Sequence, residues 1–449
     1  MIGVPHPKVS PAEARRIAAD GVVFGFPLVL VDAVRRTHPV GANQILVLPD
    51  DGEAIAPGLA DDDVQIVRSS AWIDLTDGPM VLTLPELDSR CASVTLYDAW
   101  GRSAGSVGAQ AYAAGGLRLA LVGPDWRGEL PAGLTARRSH TNLIWVVTRL
   151  AARSYADREA TQMLLRRQAI VPLTSAPNGH VRPTATVETP ARSSVDWAFT
   201  LGPQRFFHRL SVLLDRHHAP PEAGNTLEAL AEIGVAAGRG FHPADSVVLQ
   251  DAMAQGFADG LQKIRQSHPS DFTEVGAWRR PLPAHDEATL DLAHSALQSL
   301  GAAEPEDILR LTCEVDSEGR PLTGSERYVL RFPAGQAPPV NGFWTLTLER
   351  RPRSSGELQM RRYAVCDRDN LVFDADGGLQ LLIQHSPPQD QAANWLPTPP
   401  REFGLRLHLY WPRAPALSGA WRPPPPERIE PLQARAPRGD IRQSKEAPQ

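Results

Sequence analysis

The chain has 449 residues, 42% hydrophobic and 22% charged, which is ordinary globular composition and more than one hydrophobic core takes up, so two or three domains are expected. With 46 basic against 51 acidic residues and a formal net charge of -5, the sequence carries no positive excess to hold a nucleic acid. Its three cysteines, Cys91, Cys313 and Cys366, stand at wide spacings that form neither a disulfide framework nor a metal-binding pair, and they read as small buried hydrophobes.

Residues 11 to 37 read as a helix, with Pro11 suited to its first turn and Pro27 as a kink or stop. Within it, the apolar run Gly21 to Val31 is too short to cross a bilayer and lacks a small-x-small cleavage site. It is expected to be a buried helix of a cytoplasmic protein with no membrane partner. The acidic stretch from Asp50 to Asp63 reads as a surface loop. The period then changes, and Pro79 to Leu84, Ala92 to Tyr97, Leu117 to Val122 and Leu143 to Thr148 have the composition and turn spacing of antiparallel sandwich strands. The glycines at 101, 105 and 108 read as a loop.

Helical periodicity returns in Ala156 to Ala169, Gln204 to His217, Leu227 to Gly238, Ser246 to Gln266 and Asp286 to Leu300, the last closed by Gly301. From Tyr328 short strands resume at Tyr328 to Phe332, Phe343 to Glu349, Tyr363 to Cys366, Leu379 to His385 and Leu405 to Trp411. After Pro423 to Pro426 an Arg/Pro-rich tail is expected to be extended and then disordered.

Four ordered blocks carry a family likeness in the C-terminal region: Pro338-Pro339-Val340-Asn341-Gly342-Phe343-Trp344, Asp376-Gly377-Gly378-Leu379, Asn394-Trp395-Leu396-Pro397, and Leu409-Tyr410-Trp411-Pro412 ahead of Gly419-Ala420-Trp421. The N-terminal half adds Gly25-Phe26-Pro27-Leu28, Ala71-Trp72-Ile73-Asp74-Leu75, Asp98-Ala99-Trp100, Gly123-Pro124-Asp125-Trp126 and Arg138-Ser139-His140-Thr141-Asn142. Together these blocks resemble the bacterial family that pairs domain of unknown function 1254 (N-terminal) with domain of unknown function 1214 (C-terminal).

The resemblance implies an α+β multidomain chain. Its parts would be a 1254-like immunoglobulin-like β-sandwich with an N-terminal helix over 11–180, a helical insert over 181–305, a 1214-like jelly-roll β-sandwich over 306–428, and a disordered tail over 429–449. It carries no established reaction. The sequence departs from the family pattern where Val67-Arg68-Ser69-Ser70 stands in place of a polar Asn-Asn-Asp-Thr stretch, and again at His140, Glu349 and His408.

Two polar constellations are candidate sites. Asp98, Trp100, Arg102, Arg138, Thr141 and Arg149 combine arginines with a carboxylate and an indole, which could clamp a carboxylated or phosphorylated small molecule or form an ion-paired structural core. In the last strand Arg406, His408 and Tyr410 fall on the face opposite Leu405, Leu407 and Leu409, as an acid-base strip or a polar solvent-facing one. His385 reads as a hydrogen-bonded histidine of the core or rim. Asp291 and His294 lie one helical turn apart without the further ligands a metal needs, so no metal and no cofactor is expected. The leading functional expectation is a binder of a small polar or anionic molecule, with or without catalysis, in a cleft between domains. The rivals are a non-catalytic divergent paralogue acting as a binding module or partner subunit, and a carbohydrate-binding jelly roll. A homo-oligomer is compatible with either.

Overall fold

The computed structural model describes residues 9–48, 56, 59, 65–87, 90–108, 116–174, 194–242, 246–267, 272–281, 289–349, 364–388 and 392–429. Most of the acidic stretch from 50 to 63, and the C-terminal tail from 430, lie outside the described residues. Helix α1 (Pro11–Thr37) starts where Ser10 accepts a hydrogen bond from the Glu13 amide, a side-chain cap, and Pro11 occupies the first turn. Pro27 does not stop it, because its surroundings hold the helix on every side from Gly21 to Val34. At 27 residues α1 is long and apolar enough to cross a membrane, which corrects the expectation from the shorter apolar run. Within this protein 94% of its most apolar window is buried.

Nine strands follow: β1 (Ile45–Val47), β2 (Ile66–Asp74), β3 (Met80–Leu84), β4 (Ala92–Tyr97), β5 (Ser103–Gly108), β6 (Leu117–Val122), β7 (Thr135–Arg138), β8 (Leu143–Ala151) and, after helix α2 (Arg158–Leu165), β9 (Ala169–Pro172). They make a five-stranded sheet in the order β1-β2-β8-β4-β5 and a four-stranded sheet in the order β7-β6-β3-β9. Ala71, Ile73, Val94, Leu96, Ile144 and Val146 of the first sheet share a core with Met80, Leu82, Leu84, Leu119, Leu121 and Ile170 of the second, so the two apolar faces meet. The expected loop at residues 101 to 108 is instead edge strand β5, held by pairing with β4 rather than by any apolar alternation of its own. The expected helix Ala156 to Ala169 ends at Leu165, because Ala169 onward pairs with β3.

The other face of the five-stranded sheet lies under a helical layer. Trp72, Tyr97, Trp145 and Val147 join one core with α1 and with α3 (Ser194–Thr200), α4 (Pro203–Arg216) and α5 (Gly224–Glu232), then, after the small hairpin β10 (Val235–Ala236) and β11 (Gly240–Phe241), with α6 (Val247–Gln266). Next come hairpin β12 (Phe272–Val275) and β13 (Trp278–Pro281) and helix α7 (Thr289–Ser299), which packs on α1 and α6. Helix α6 approaches α1 closely: a Cβ at Gly260 would lie 2.7 Å from the Ala19 carbonyl, and one at Gly256 would collide with the Arg15 carbonyl. His38, at the end of α1, is buried and hydrogen-bonded to the Ser70 hydroxyl at 3.0 Å. Ser70 also accepts from the Trp145 indole at 2.8 Å, and Trp145 stacks on Trp72.

Burial lowers the His38 imidazole to about 4. Its folded value lies below the unfolded one, so its contribution to stability is complete above about pH 6.5 and is lost as pH falls through about 4. The melting temperature should therefore fall over that window. A His38→Gln variant should show a flatter curve there, and an unchanged curve would assign the loss to another group such as His217, also lowered to about 4 by burial.

The C-terminal part comprises β14 (Ile308–Cys313), β15 (Tyr328–Phe332), β16 (Trp344–Glu349), β17 (Ala364–Cys366), β18 (Leu379–Gln384), β19 (Trp395–Pro397), β20 (Gly404–Tyr410), the short helix α8 (Ala414–Leu417) and β21 (Glu427–Arg428). A six-stranded sheet runs β12-β13-β14-β20-β16-β17, and a four-stranded one β19-β18-β15-β21. The hairpin inside the expected helical insert thus lends two strands to the C-terminal sheet. Leu405, Leu407 and Leu409 of β20 meet Leu330, Phe332, Leu381 and Ile383 of the facing sheet in one core.

Candidate functional site

The first constellation is distributed over three places. Asp98, at the end of β4, accepts hydrogen bonds from the Trp100 amide at 2.8 Å and the Arg102 amide at 3.0 Å, so its carboxylate organises its own turn. Burial raises it to about 6, against those hydrogen bonds. Trp100 donates to the His218 carbonyl, Arg102 pairs with Glu222 at 2.6 Å, and Thr141 accepts from the Ala99 amide while donating to the Leu143 carbonyl. These four residues meet around one turn that docks on the helical layer. Arg138 lies on the other sheet, where its guanidinium donates to the carbonyls of Gly123, Pro124 and Trp126.

Arg149 belongs elsewhere. It stands opposite Ser93, five residues before Asp98 on β4, which separates the two by about 16 Å along the strand. Its guanidinium donates to Gly301 and Thr95 under the start of the C-terminal part.

The second constellation is corrected more sharply. His408 and Tyr410 are fully buried and Arg406 half-buried, so the strip does not face solvent. Central strand β20 has both faces covered: one by its own apolar core, the other by the N-terminal five-stranded sheet. Tyr410 stacks on Phe343 with centroids 4.2 Å apart, and with Ile308 and Trp411 both rings pack on Ile66 and Ala151. His408 lies 3.5 Å from the Thr345 hydroxyl and opposite Arg310.

Arg149, His408 and Tyr410, taken as members of two separate sets, therefore belong to one seam between the N-terminal and C-terminal sheets. Across it Ser106 donates to Asp307, Tyr97 to the Ala302 carbonyl, Gln65 to the Cys366 sulfur at 3.0 Å, and Arg368 to the Ala152 carbonyl at 2.9 Å. Burial pushes Tyr97 up to about 12, with Arg149 pulling the other way.

At one rim of the seam a cavity of about 340 Å³ is lined by Arg90, Cys91, Ala151, Arg153 and Arg368. Arg90 is fixed by a two-point pair with Asp157, whose carboxyl that contact holds down at about 2. Arg368, from the turn after β17, lies over the Phe343 ring at 3.8 Å. Cys91 is the partly exposed cysteine, whereas Cys313 and Cys366 are buried as expected. Burial pushes the Cys91 thiol up, and Arg368 only partly offsets it. No sequence spacing announces these residues, because they stand at strand ends and in a turn far apart along the chain. His385 is exposed and bonded to the Thr398 carbonyl at 2.7 Å, and His294 is buried against the Ile264 carbonyl. Among the described residues, no three His, Cys, Asp or Glu side chains group closely enough to hold a metal ion.

Two paired-sheet parts, bridged by a helical layer around a buried N-terminal helix and meeting along a polar seam, define the class of this protein. Residues 42–172 match the model described as protein of unknown function DUF1254, and residues 307–414 that of DUF1214. The chain belongs to the family that carries these two domains in that order. The crystal structure of the VPA0106 protein from Vibrio parahaemolyticus is similar over 93% of this chain and 100% of that one, at 18% identity and a TM-score of 0.67, a likeness of fold. An uncharacterized protein from Burkholderia cenocepacia aligns over 93% of this chain and 94% of that one, at 13% identity and a TM-score of 0.43. No curated protein matches the chain.

Proposed function

We propose that this protein binds a small anionic molecule in the cavity at the rim of the seam. The observation that carries the reading is that three arginines, Arg90 and Arg153 from the N-terminal part and Arg368 from the C-terminal part, line one cavity, where the Asp157 carboxylate paired with Arg90 offsets only part of their charge. Arginine forks suit carboxylate and phosphate oxygens, and a cavity of about 340 Å³ suits a small metabolite. In this reading an immunoglobulin-like sandwich over 11–180 and a jelly roll over 306–428 are the rigid walls, the helical segment 181–305 braces them, and the protein works in the cytoplasm. The non-catalytic version draws support from Ser69 and Ser70, in the stretch that departs from the family pattern. Their hydroxyls serve Gln168 and the His38–Trp145 network, so they are spent on the fold.

Thermal denaturation of the full chain with inorganic phosphate, sulfate, malonate and citrate tests the reading. At least one anion should raise the melting temperature by mass action. Arg153→Ala, at an exposed position, should keep the melting temperature of the free protein and lose that rise, which corresponds to about 1.5–3 kcal/mol for a charge-assisted contact. No stabilisation of the parent by any of the four, or a full rise in the variant, would refute it.

A further inference from the structure

A second place in the same seam is built around Trp411, and nothing in the anion reading uses it. Strand β20 ends just before it, and Trp411 has a backbone φ of 49°, in the left-handed region that a bulky residue rarely enters. That conformation is tied down on both sides, since the Trp411 amide donates to the Asp307 carbonyl at 2.8 Å and its own carbonyl accepts from Asn341 at 2.8 Å. Two glycines make room for the ring. A Cβ at Gly342 would lie 2.5 Å from its Cε3, and one at Gly108 would lie 3.4 Å from its Nε1. The indole is thus held in one orientation at the cost of backbone strain.

What it presents is a donor. Trp411 is 8% exposed, and its Nε1 finds no hydrogen-bond partner among the described residues. Ser93, 1% exposed, stands opposite Gly108 on the neighbouring strand, so both residues point to one face with their Cβ positions about 5 Å apart. Its Oγ is likewise without a partner among the described residues. The third wall is Asp307: its Oδ2 accepts from Ser106, while its Oδ1 lies 2.9 Å from the Gly108 Cβ position. A buried indole N–H and a buried hydroxyl left unmatched each carry an uncompensated desolvation cost, which a ligand hydroxyl would relieve. Gly108 and Ser106, on edge strand β5, are only half-buried, which opens this corner toward solvent.

We infer that Trp411, Ser93 and Asp307 form a binding site for a small neutral molecule with neighbouring hydroxyls, a polyol or sugar. One ligand hydroxyl accepts from Trp411 Nε1 and donates to Asp307 Oδ1, and its neighbour bonds with Ser93. Asp307 and Arg149, which stands opposite Ser93, offset one another in charge, which suits a neutral ligand and separates this site from the arginine-lined rim. The two readings stand independently.

The indole N–H of Trp411 reports directly. In the ¹⁵N-labelled full chain, its resonance, assigned by its loss in Trp411→Phe, should shift saturably with glucose or erythritol and stay in place with inorganic phosphate. Gly108→Ala, which puts a methyl against Asp307 Oδ1, and Ser93→Ala should each weaken the polyol by about tenfold or more. A resonance that responds to neither polyol overturns the site and leaves it as a position for ordered water only. Unweakened binding in both Gly108→Ala and Ser93→Ala overturns it as well. Should either variant fail to fold, the titration of the parent still decides.

Discussion

Replacing Gly256 with leucine should lower the unfolding free energy by about 3 kcal/mol, read as a drop in the urea midpoint of the helical transition. The reason lies in the contact between α6 and α1. The Gly256 Cα faces the Arg15 carbonyl so closely that any Cβ collides with backbone, and a Cβ there would also stand 2.9 Å from the Ala18 methyl. Backbone cannot rotate aside as a side chain can, so the helices must separate. Separation would loosen Phe257 and Leu261 from the core they share with Val22 and Phe26, while the ion pair between Arg15 and Asp259 at 2.6 Å would stretch. Gly256→Ala should be milder yet still destabilising, even though alanine favours a helix over glycine. A gain in stability with alanine would show that the helices are free to move apart.

Arg209→Ala should cost about 3 kcal/mol, since it removes the better partner of a buried carboxylate. Asp32 sits within α1 with its side chain 4% exposed, and Arg209 from α4 meets both its oxygens at 2.7 and 2.5 Å. Arg36, one turn along α1, contacts only one oxygen at 2.8 Å and is half-exposed, so it is a partial substitute. Exchange of the whole pair for apolar residues, Asp32→Leu with Arg209→Met, should recover most of the loss, because the penalty comes from an unmatched charge rather than from a pair of high net value. Chemical denaturation of the two single variants and the double variant gives the coupling energy directly. If the two single losses simply sum to that of the double variant, the pair is not coupled as the geometry requires.

Legibility from sequence follows how local each cause is. Ala92 to Tyr97 and Leu117 to Val122 were readable to the residue, because a short, largely buried apolar run between turn residues announces a strand. Ser246 and Gly301 were readable as helix boundaries for similar local reasons. Strand β5 was not, because Ser103-Ala-Gly-Ser-Val-Gly has no periodic signal and exists only through its pairing with β4. The two polar constellations looked alike in sequence, yet Arg138 holds a turn together at an exposed edge while His408 is sealed inside the protein.

The sequence by itself determined the family, the helix at the N-terminus, the change of period along the chain and most strand positions, since each depends on side chains a few residues apart. Only the tertiary structure decided which face of β20 is covered, that Arg149 belongs with Asp307 rather than with Asp98, and that Arg90, Arg153 and Arg368 surround one cavity. Those facts depend on how two sheets, each with a polar face, dock on one another. That docking is set by surface shape and hydrogen-bond matching over hundreds of residues of separation, for which no spacing along the chain is a proxy.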